Sequence, residues 1–215
     1  MTIRKIHRSF KGVCLNPKSK LSDEQCKKLA VGAMYASQQG AYQNSIETGI
    51  SDLLPKILGE WWGIESTDAA KEELDYLCEK GYRYYFPFVY QAFLLGKPEA
   101  QDEIFQQNMT SQEDYDKIVA QFQNLQETFD ELIRCKVVAE KEELLHYGVA
   151  GWDAGRICFL ARACCEMGYI TEAEAWKYID LAYNMAHSTF SSWKDMGMSY
   201  VIGRSLWEAS MHTTP

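Results

Sequence analysis

The sequence lacks the features that mark membrane-spanning, secreted and disordered proteins. It contains no run of eighteen apolar residues, and the basic start MTIRKIHRSFKG is not followed by an apolar region or a small-residue cleavage site. Hydrophobic residues make up 47% of the chain and charged residues 24%, which is the composition of an ordinary folded protein. We therefore expect a cytoplasmic globular protein that does not contact a membrane.

The common catalytic and metal-binding motifs are also missing. No HExxH, Cys/His metal spacing, G-x-S-x-G, P-loop or G-x-G-x-x-G is present, so the sequence gives no support for a zinc site, a nucleophile-elbow hydrolase or a standard nucleotide site. The seven cysteines form no CxxC pair and are predicted to be reduced core residues. Of the four scattered histidines, His187 falls on an apolar helical stripe and is expected in the core. We predict no catalytic residue, metal or cofactor.

Charge is present in quantity and is unevenly distributed. Residues 1–28 carry a net charge of +6, and the rest of the chain carries −14. Within it, residues 99–143 hold twelve acidic side chains against four basic ones. Such a surface repels nucleic acid and attracts basic partners, although acidic helices are often simply well solvated. The residues predicted for a partner-binding face are Glu113, Asp114, Asp116, Glu127, Asp130 and Glu131.

Hydrophobic spacing predicts an all-α fold, organised as one compact multi-helix domain over residues 21–215 with a loosely tied basic arm at residues 1–20. Its clearest element is a long amphipathic helix within residues 111–145, for which we expect a break near Lys136. Ser22 with Gln25, and Thr171 with Glu174, have the spacing of capping boxes at helix starts. Further expectations are a helix start at Pro55 with a break at Gly59, a short buried helix from Phe88 to Leu95, and a Gly81 cap at a helix end.

The apolar segment GWDAGRICFLARACCEMG, residues 151–168, places Asp153 and Arg156 on one helical face. A buried charge must be paired, and Arg204 lies in a similar apolar stripe of the last predicted helix, so we predict a cluster of Asp153, Arg156 and Arg204. Gly155 and Gly203 precede the two arginines and would let helices approach closely. The cluster is either an ionic knot that fixes packing or an anion-binding pocket. Its predicted aromatic roof is Trp152, Trp193 and Trp207.

Six short motifs, in order along the chain, resemble an uncharacterised bacterial family, domain of unknown function number twelve sixty-six. They are WWGI, KGYR, GWDAGR, GYITEAEAW, FSSW and GRSLW. The resemblance covers about residues 25–210 and implies a compact helical domain in which the Trp, Asp and Arg motifs converge. The family usually has His where this chain has Tyr82, which removes one candidate for acid–base chemistry. No reaction is established for the family, so the resemblance implies none.

Three functional hypotheses follow. In the first, the protein is an acidic binding protein, similar in character to bacterial immunity proteins, that neutralises a basic toxin such as a nuclease by covering its active site. In the second, the Asp153, Arg156 and Arg204 cluster binds a small anion or nucleotide, as a sensor or an enzyme. In the third, the domain is a scaffold in a larger complex. We favour the first, with a basic protein as the partner and no role for nucleic acid.

Overall fold

The computed structural model describes residues 13–207, and within that range it contains ten α-helices and no β-strand. The all-α prediction is therefore confirmed. The helices are α1 (Asp23–Ala30), α2 (Ala33–Gln39), α3 (Thr67–Glu79), α4 (Gly81–Leu95), α5 (Pro98–Asn108), α6 (Gln112–Arg134), α7 (Glu143–Tyr147), α8 (Ala150–Glu166), α9 (Glu172–Thr189) and α10 (Trp193–Trp207). A 3₁₀ turn (Ser51–Leu53) and a π-helical segment (Lys56–Trp61) lie between α2 and α3.

The helices group into two compact units, and the division falls within α8, between Asp153 and Ala154. The described part of the first unit comprises residues 13–79 and 154–189, and that of the second comprises residues 80–153 and 190–207. The domain boundary at residue 21 stays a prediction.

The first unit is built on the part of α8 that follows Asp153. Every residue of this segment from Ala154 to Cys164 is buried. Its Phe159 ring lies 4.9 Å from the Tyr35 ring, and a Cβ on Gly32 would come within 2.7 Å of Cys158 Sγ. Helix α9 packs against α1 and α3. The nearly all-round apolar sequence of α8 is thus explained by burial on all sides.

The second unit is built on α6, the long amphipathic helix predicted from the sequence. Its 23 residues bury one face against α4, α5 and α10. Aromatic pairs fill this contact: Phe122 lies 5.7 Å from Phe105, and Phe129 lies 5.0 Å from Phe93, measured between ring centroids. The helix ends at Arg134, and Lys136 has a left-handed backbone with φ of 58°, so the predicted break is confirmed.

Local start and stop signals are mostly confirmed. Both capping boxes form, at Ser22 with Gln25 and at Thr171 with Glu174. The break expected at Gly59 is wrong, because the π-helical segment runs through that residue. The helix expected from Phe88 begins seven residues earlier, and Pro87 lies inside it. The helix starts early because the Asp153 carboxylate, from elsewhere in the second unit, accepts hydrogen bonds from its first residues.

Part of the predicted N-terminal arm is attached to the first unit. Gln43 N–H donates to Cys14 O, and Asn16 N–H donates to the Asn44 side chain at 2.6 Å. The Asn16 amide also reaches Ser45 Oγ at 3.2 Å. Residues 14–16 are therefore held by hydrogen bonds rather than loosely tied, whereas residues 1–12 lie outside the described range. Over residues 13–207, no helix combines the length and the apolar character needed to cross a membrane.

Candidate functional site

The Asp153 carboxylate is the most constrained charged group of the second unit. The side chain is fully buried and accepts hydrogen bonds from the backbone N–H groups of Tyr82 at 3.0 Å and Arg83 at 2.9 Å. Arg83 Nη1 adds an ion pair at 3.2 Å. The first N–H groups of a helix have no partner within it, and a carboxylate also complements the positive end of the helix dipole. Asp153 therefore caps α4 from a distant position in the sequence.

Gly81 makes this approach possible. Its φ is +56°, and a Cβ built on it would lie 2.5 Å from Asp153 Oδ2 and 2.8 Å from Arg83 Nη1. No side chain fits in that space unless the carboxylate moves. The cap predicted at Gly81 is confirmed by its left-handed backbone just after α3, and the residue is also the first of α4. The KGYR and GWDAGR motifs thus describe the two sides of one buried contact.

The expectation that the buried Asp153 is paired with an arginine is confirmed, but the arginine of this pair is Arg83, which the sequence analysis did not identify. The first residues of α4 supply three hydrogen bonds to the two Asp153 carboxylate oxygens. Removing one partner of such a buried pair costs about 3–5 kcal/mol. These contacts hold the N-terminus of α4 in a fixed position. Tyr82 contributes its backbone, so the capping bond does not depend on its side chain.

A second buried carboxylate lies against the same segment. Asp114 accepts a hydrogen bond from the Tyr85 hydroxyl at 2.5 Å and an ion pair from Lys80 Nζ at 3.3 Å. The Tyr85 hydroxyl lowers the pKa of Asp114, and the Ser111 and Lys80 hydrogen bonds act in the same direction. Only 8% of Asp114 is exposed. The residue ties α6 to α4 and does not contribute to an exposed acidic face.

The predicted tryptophans differ in burial. Trp152 is 1% exposed, and its ring lies 5.2 Å from Tyr200 and 5.9 Å from Trp207. Arg204 stacks on this pair, with its guanidinium carbon 4.7 Å from the Trp207 ring and 5.9 Å from the Trp152 ring. Trp193 is 62% exposed and lies at the start of α10.

Small residues bring α10 against the first turn of α8 within the second unit. A Cβ on Gly203 would overlap the Trp152 side chain, and a Cβ on Gly151 would lie 2.6 Å from Met196 O. Gly151 N–H also donates to Ser199 Oγ at 3.0 Å. The close helix approach predicted at Gly203 is confirmed.

Arg156 belongs to the first unit, where its guanidinium carbon lies 5.8 Å from the Trp62 ring. Asp153 and Arg204 belong to the second unit. A single cluster of Asp153, Arg156 and Arg204 therefore stays a prediction, as does its capacity to bind an anion.

A second buried arginine, Arg162 of the first unit, also escaped the sequence reasoning. It is 1% exposed and donates to the carbonyl oxygens of Tyr42 at 2.6 Å and Glu47 at 3.1 Å. Burial lowers the pKa of Arg162 from its ordinary value. One turn later, Glu166 accepts from the backbone N–H and hydroxyl of Thr48. The i, i+4 spacing of two charges in an otherwise apolar helix was the available signal. Together they fix the loop before the 3₁₀ turn.

The acidic region at residues 99–143 is largely at the surface. Of its twelve carboxylates, nine are exposed, two are half-buried and Asp114 alone is buried. On α6, Glu113 pairs with Lys117 at 2.7 Å, and Glu131 pairs with Arg134. The exposed members are Glu99, Asp102, Glu103, Glu113, Asp116, Glu127, Asp130, Glu140 and Glu142, and with the half-buried Glu131 and Glu143 they form what we call the acidic surface.

Other reactive side chains are dispersed. His187 is exposed, so its predicted core position is wrong. All seven cysteines are free, and burial raises the pKa of Cys158 to about 11 and of Cys164 to about 12. Cys135 is exposed and departs from the core placement predicted for most of them. Over residues 13–207, no three His, Cys, Asp or Glu side chains converge in a way that could hold a metal ion.

Comparison with known proteins places the chain in a family. Residues 57–214 match the family model described as a protein of unknown function, DUF1266. No curated protein and no solved structure matches the chain. The matched range includes the KGYR, GWDAGR and GRSLW segments that build the Asp153 and Trp152 contacts. Because the family model covers well over half of the sequence, the chain belongs to the DUF1266 family of proteins of unknown function.

Proposed function

We propose that the protein is a binding protein whose acidic surface engages a basic protein partner in the cytoplasm. More specifically, we propose that it is an immunity or inhibitor protein. Such a protein covers the active site of a basic toxin domain, such as a nuclease, and thereby neutralises the toxin.

The observation that carries the proposal is a concentration of like charge on the exposed side of α6. Glu127, Asp130 and Glu131 occupy one turn of the helix, at spacings of three and four residues. Like charges at these spacings destabilise a helix by a few tenths of a kcal/mol each. Folding alone does not favour such an arrangement, whereas a cationic partner would relieve the repulsion.

Two of the carboxylates predicted for the partner-binding face are already paired within the protein. Glu131 is engaged by Arg134, and Glu113 by Lys117. The carboxylates of Glu127 and Asp130, in contrast, make no hydrogen bond or ion pair with any residue between 13 and 207. These two carboxylates are the best placed to meet cations of a partner, and they form the centre of the proposed interface.

An inhibitor benefits from this kind of surface. Complementary charge accelerates encounter, with association rates that reach about 10⁸–10⁹ M⁻¹s⁻¹ at low salt. A basic nuclease has a positive electrostatic potential around its active site, because that site must attract phosphates. Covering that site requires only a stable surface, and the contacts of Asp114 and Asp153 keep α4 and α6 fixed beneath it.

The experiment compares two charge-reversal variants of the full chain. Glu127→Lys/Asp130→Lys changes the centre of the proposed interface, and Asp52→Lys/Glu72→Lys makes the same change in net charge at exposed positions of the first unit. Each protein is crosslinked in the source cells and purified, and the bound proteins are quantified. We expect a basic protein that is captured by the wild type and the control variant and is lost with Glu127→Lys/Asp130→Lys. The captured protein is then expressed in a heterologous cell to test whether it is toxic and whether the wild type restores growth.

Two outcomes would contradict the proposal. Capture of the same proteins by all three forms would show that the acidic surface is not the interface. A basic partner that is captured but is not toxic would leave the binding proposal in place and remove the immunity role.

A further inference from the structure

We propose that the exposed face of α10 is a second interface, which binds an acidic amphipathic helix of a partner protein. The inference goes beyond the proposed function, because it concerns another surface and a partner of opposite charge.

The face consists of side chains that recur at helical spacing along α10 and that the rest of the described chain leaves at least partly exposed. Trp193, Lys194 and Trp207 are exposed, and Met198, Val201 and Arg204 are half-buried. The helix is about 22 Å long, which is the length of a typical helix–helix contact. The members are Trp193, Lys194, Met198, Val201, Arg204 and Trp207, and together we call them the α10 face.

Its apolar content is unusual for a solvated helix. Trp193 is 62% exposed, and neither a ring contact nor a hydrogen bond holds its indole within residues 13–207. Four of the six side chains are apolar. At Gly197, in the middle of the face, an added Cβ would have no neighbour within 4 Å. A partner helix can therefore approach closely at this point, and burial of a tryptophan in such a contact yields a large share of binding free energy.

The C-terminal end of the face is rigid. Arg204 stacks on Trp207, and Trp207 packs on the buried Trp152. Because these side chains are already held in the free protein, binding loses little of their conformational entropy. Trp and Arg are the residue types that most often dominate binding energy at interfaces.

Charge identifies the partner. Lys194 and Arg204 are the charged members of the α10 face, in a protein whose net charge is −8. The neighbouring Asp195 is half-buried and accepts hydrogen bonds from the Ser191 and Ser192 hydroxyls, so it belongs to the helix cap. A ligand that matches this surface is apolar on one side and negatively charged around it. An amphipathic helix rich in Glu and Asp has that chemistry, and packing along α10 is a known mode of helix recognition.

A symmetric pairing with a second copy is less favourable. In an antiparallel pair of α10 helices related by a twofold axis at the helix centre, Lys194 of one copy would lie near Arg204 of the other. Like charges in such an interface cost binding energy.

The test uses three fluorescein-labelled peptides of about 18 residues, long enough to span α10. The first is helix-forming, with Leu on one face and Glu on the others; the second has Lys in place of Glu; the third keeps Glu and has Ala in place of Leu. Binding to the full chain is measured by fluorescence anisotropy. We expect the first peptide to bind and the other two to bind at least about tenfold more weakly, which corresponds to about 1.4 kcal/mol.

Paired variants locate the site. Trp193→Ala/Lys194→Glu changes the α10 face, and Trp61→Ala/Lys177→Glu removes an exposed tryptophan and reverses an exposed lysine in the first unit. The first pair should weaken binding of the acidic peptide about tenfold, and the control pair should leave it within about twofold. Thermal unfolding of both variants checks that the fold is intact, which we expect because the substituted side chains are exposed.

Four results would overturn the inference: no binding of the first peptide, equal binding of all three, equal loss in the two variants, or a concentration-dependent dimer that the Trp193→Ala/Lys194→Glu change abolishes. The Glu127→Lys/Asp130→Lys variant separates this inference from the proposed function. It should lose the basic partner and still bind the acidic peptide.

Discussion

Substitution of Gly81 by alanine is the most direct test of the buried contact that links the KGYR and GWDAGR motifs. The residue has φ of +56°, and an added Cβ would lie 2.5 Å from the Asp153 carboxylate. Two costs follow. The left-handed backbone is unfavourable for alanine by about 1–2 kcal/mol. In addition, the carboxylate must leave the N-terminus of α4 and Arg83, and disruption of a buried ion pair costs about 3–5 kcal/mol.

Gly96 provides a matched control at the other end of the same helix. Its φ is +60°, and a Cβ there would meet nothing within 4 Å, so Gly96→Ala carries the backbone cost alone. We therefore expect Gly81→Ala to lower the free energy of unfolding by about 3–5 kcal/mol more than Gly96→Ala does. At about 2–4 °C per kcal/mol for a chain of this size, the melting temperatures of the two variants should differ by about 10 °C.

The assay is urea unfolding followed by circular dichroism, supported by a double-mutant cycle. In an Asp153→Ala background the clash with the carboxylate is absent and the Arg83 side chain, having lost that partner, can move away, so Gly81→Ala should then cost only about as much as Gly96→Ala. Equal destabilisation by Gly81→Ala and Gly96→Ala in the wild-type background would contradict this expectation, because it would show that the Asp153 contact does not depend on the missing Cβ.

Three further predictions concern stability. Arg162→Met removes the donor to the carbonyl oxygens of Tyr42 and Glu47 and should lower the free energy of unfolding by about 1–3 kcal/mol in urea titration; a change below about 0.5 kcal/mol would contradict the assigned contacts. Gly203→Ala should lower the melting temperature because the methyl group overlaps a buried side chain, whereas Gly197→Ala, with open space, should raise it through a helix propensity gain of up to about 1 kcal/mol. The Lys71 hydrogen bond lowers the pKa of Glu174 from 4.5 to about 2, so its stabilising contribution is present above pH 4.5 and is lost as the pH falls toward 2. Lys71→Met should flatten the stability profile in that window, and an unchanged acid limb would contradict this assignment.

Elements that depend on nearby residues were predictable from the sequence. The apolar stripe of α6 and the boxes at Ser22 and Thr171 act within a few residues, and all three formed as expected. The left-handed Gly81 also followed from local reasoning, because glycine is the usual residue for that backbone conformation.

The contacts that define the candidate site depend on residues far apart in the chain, and local patterns do not specify them. Arg83 and Asp153 are separated by 70 positions. The start of α4 therefore cannot be inferred from nearby residues, because it is capped by that distant carboxylate. For the same reason the helix expected to begin at Phe88 begins at Gly81 instead, with Pro87 inside it. The spacing of Arg162 in an apolar helix could have identified it as a buried charge. Its hydrogen-bond acceptors could not have been identified, because they are backbone carbonyl oxygens, which every residue has.

We propose that Glu127 and Asp130 form the centre of an interface for a basic protein. The most direct measurement is the association rate constant of the captured basic partner, compared at low and high salt for the wild type, Glu127→Lys/Asp130→Lys and Asp52→Lys/Glu72→Lys. We expect the association rate constant to fall steeply with salt for the wild type and the control variant. For the interface variant we expect a rate constant that is lower at low salt by about tenfold or more, with a weaker salt dependence. Equal rates and equal salt dependence for all three proteins would contradict the proposal.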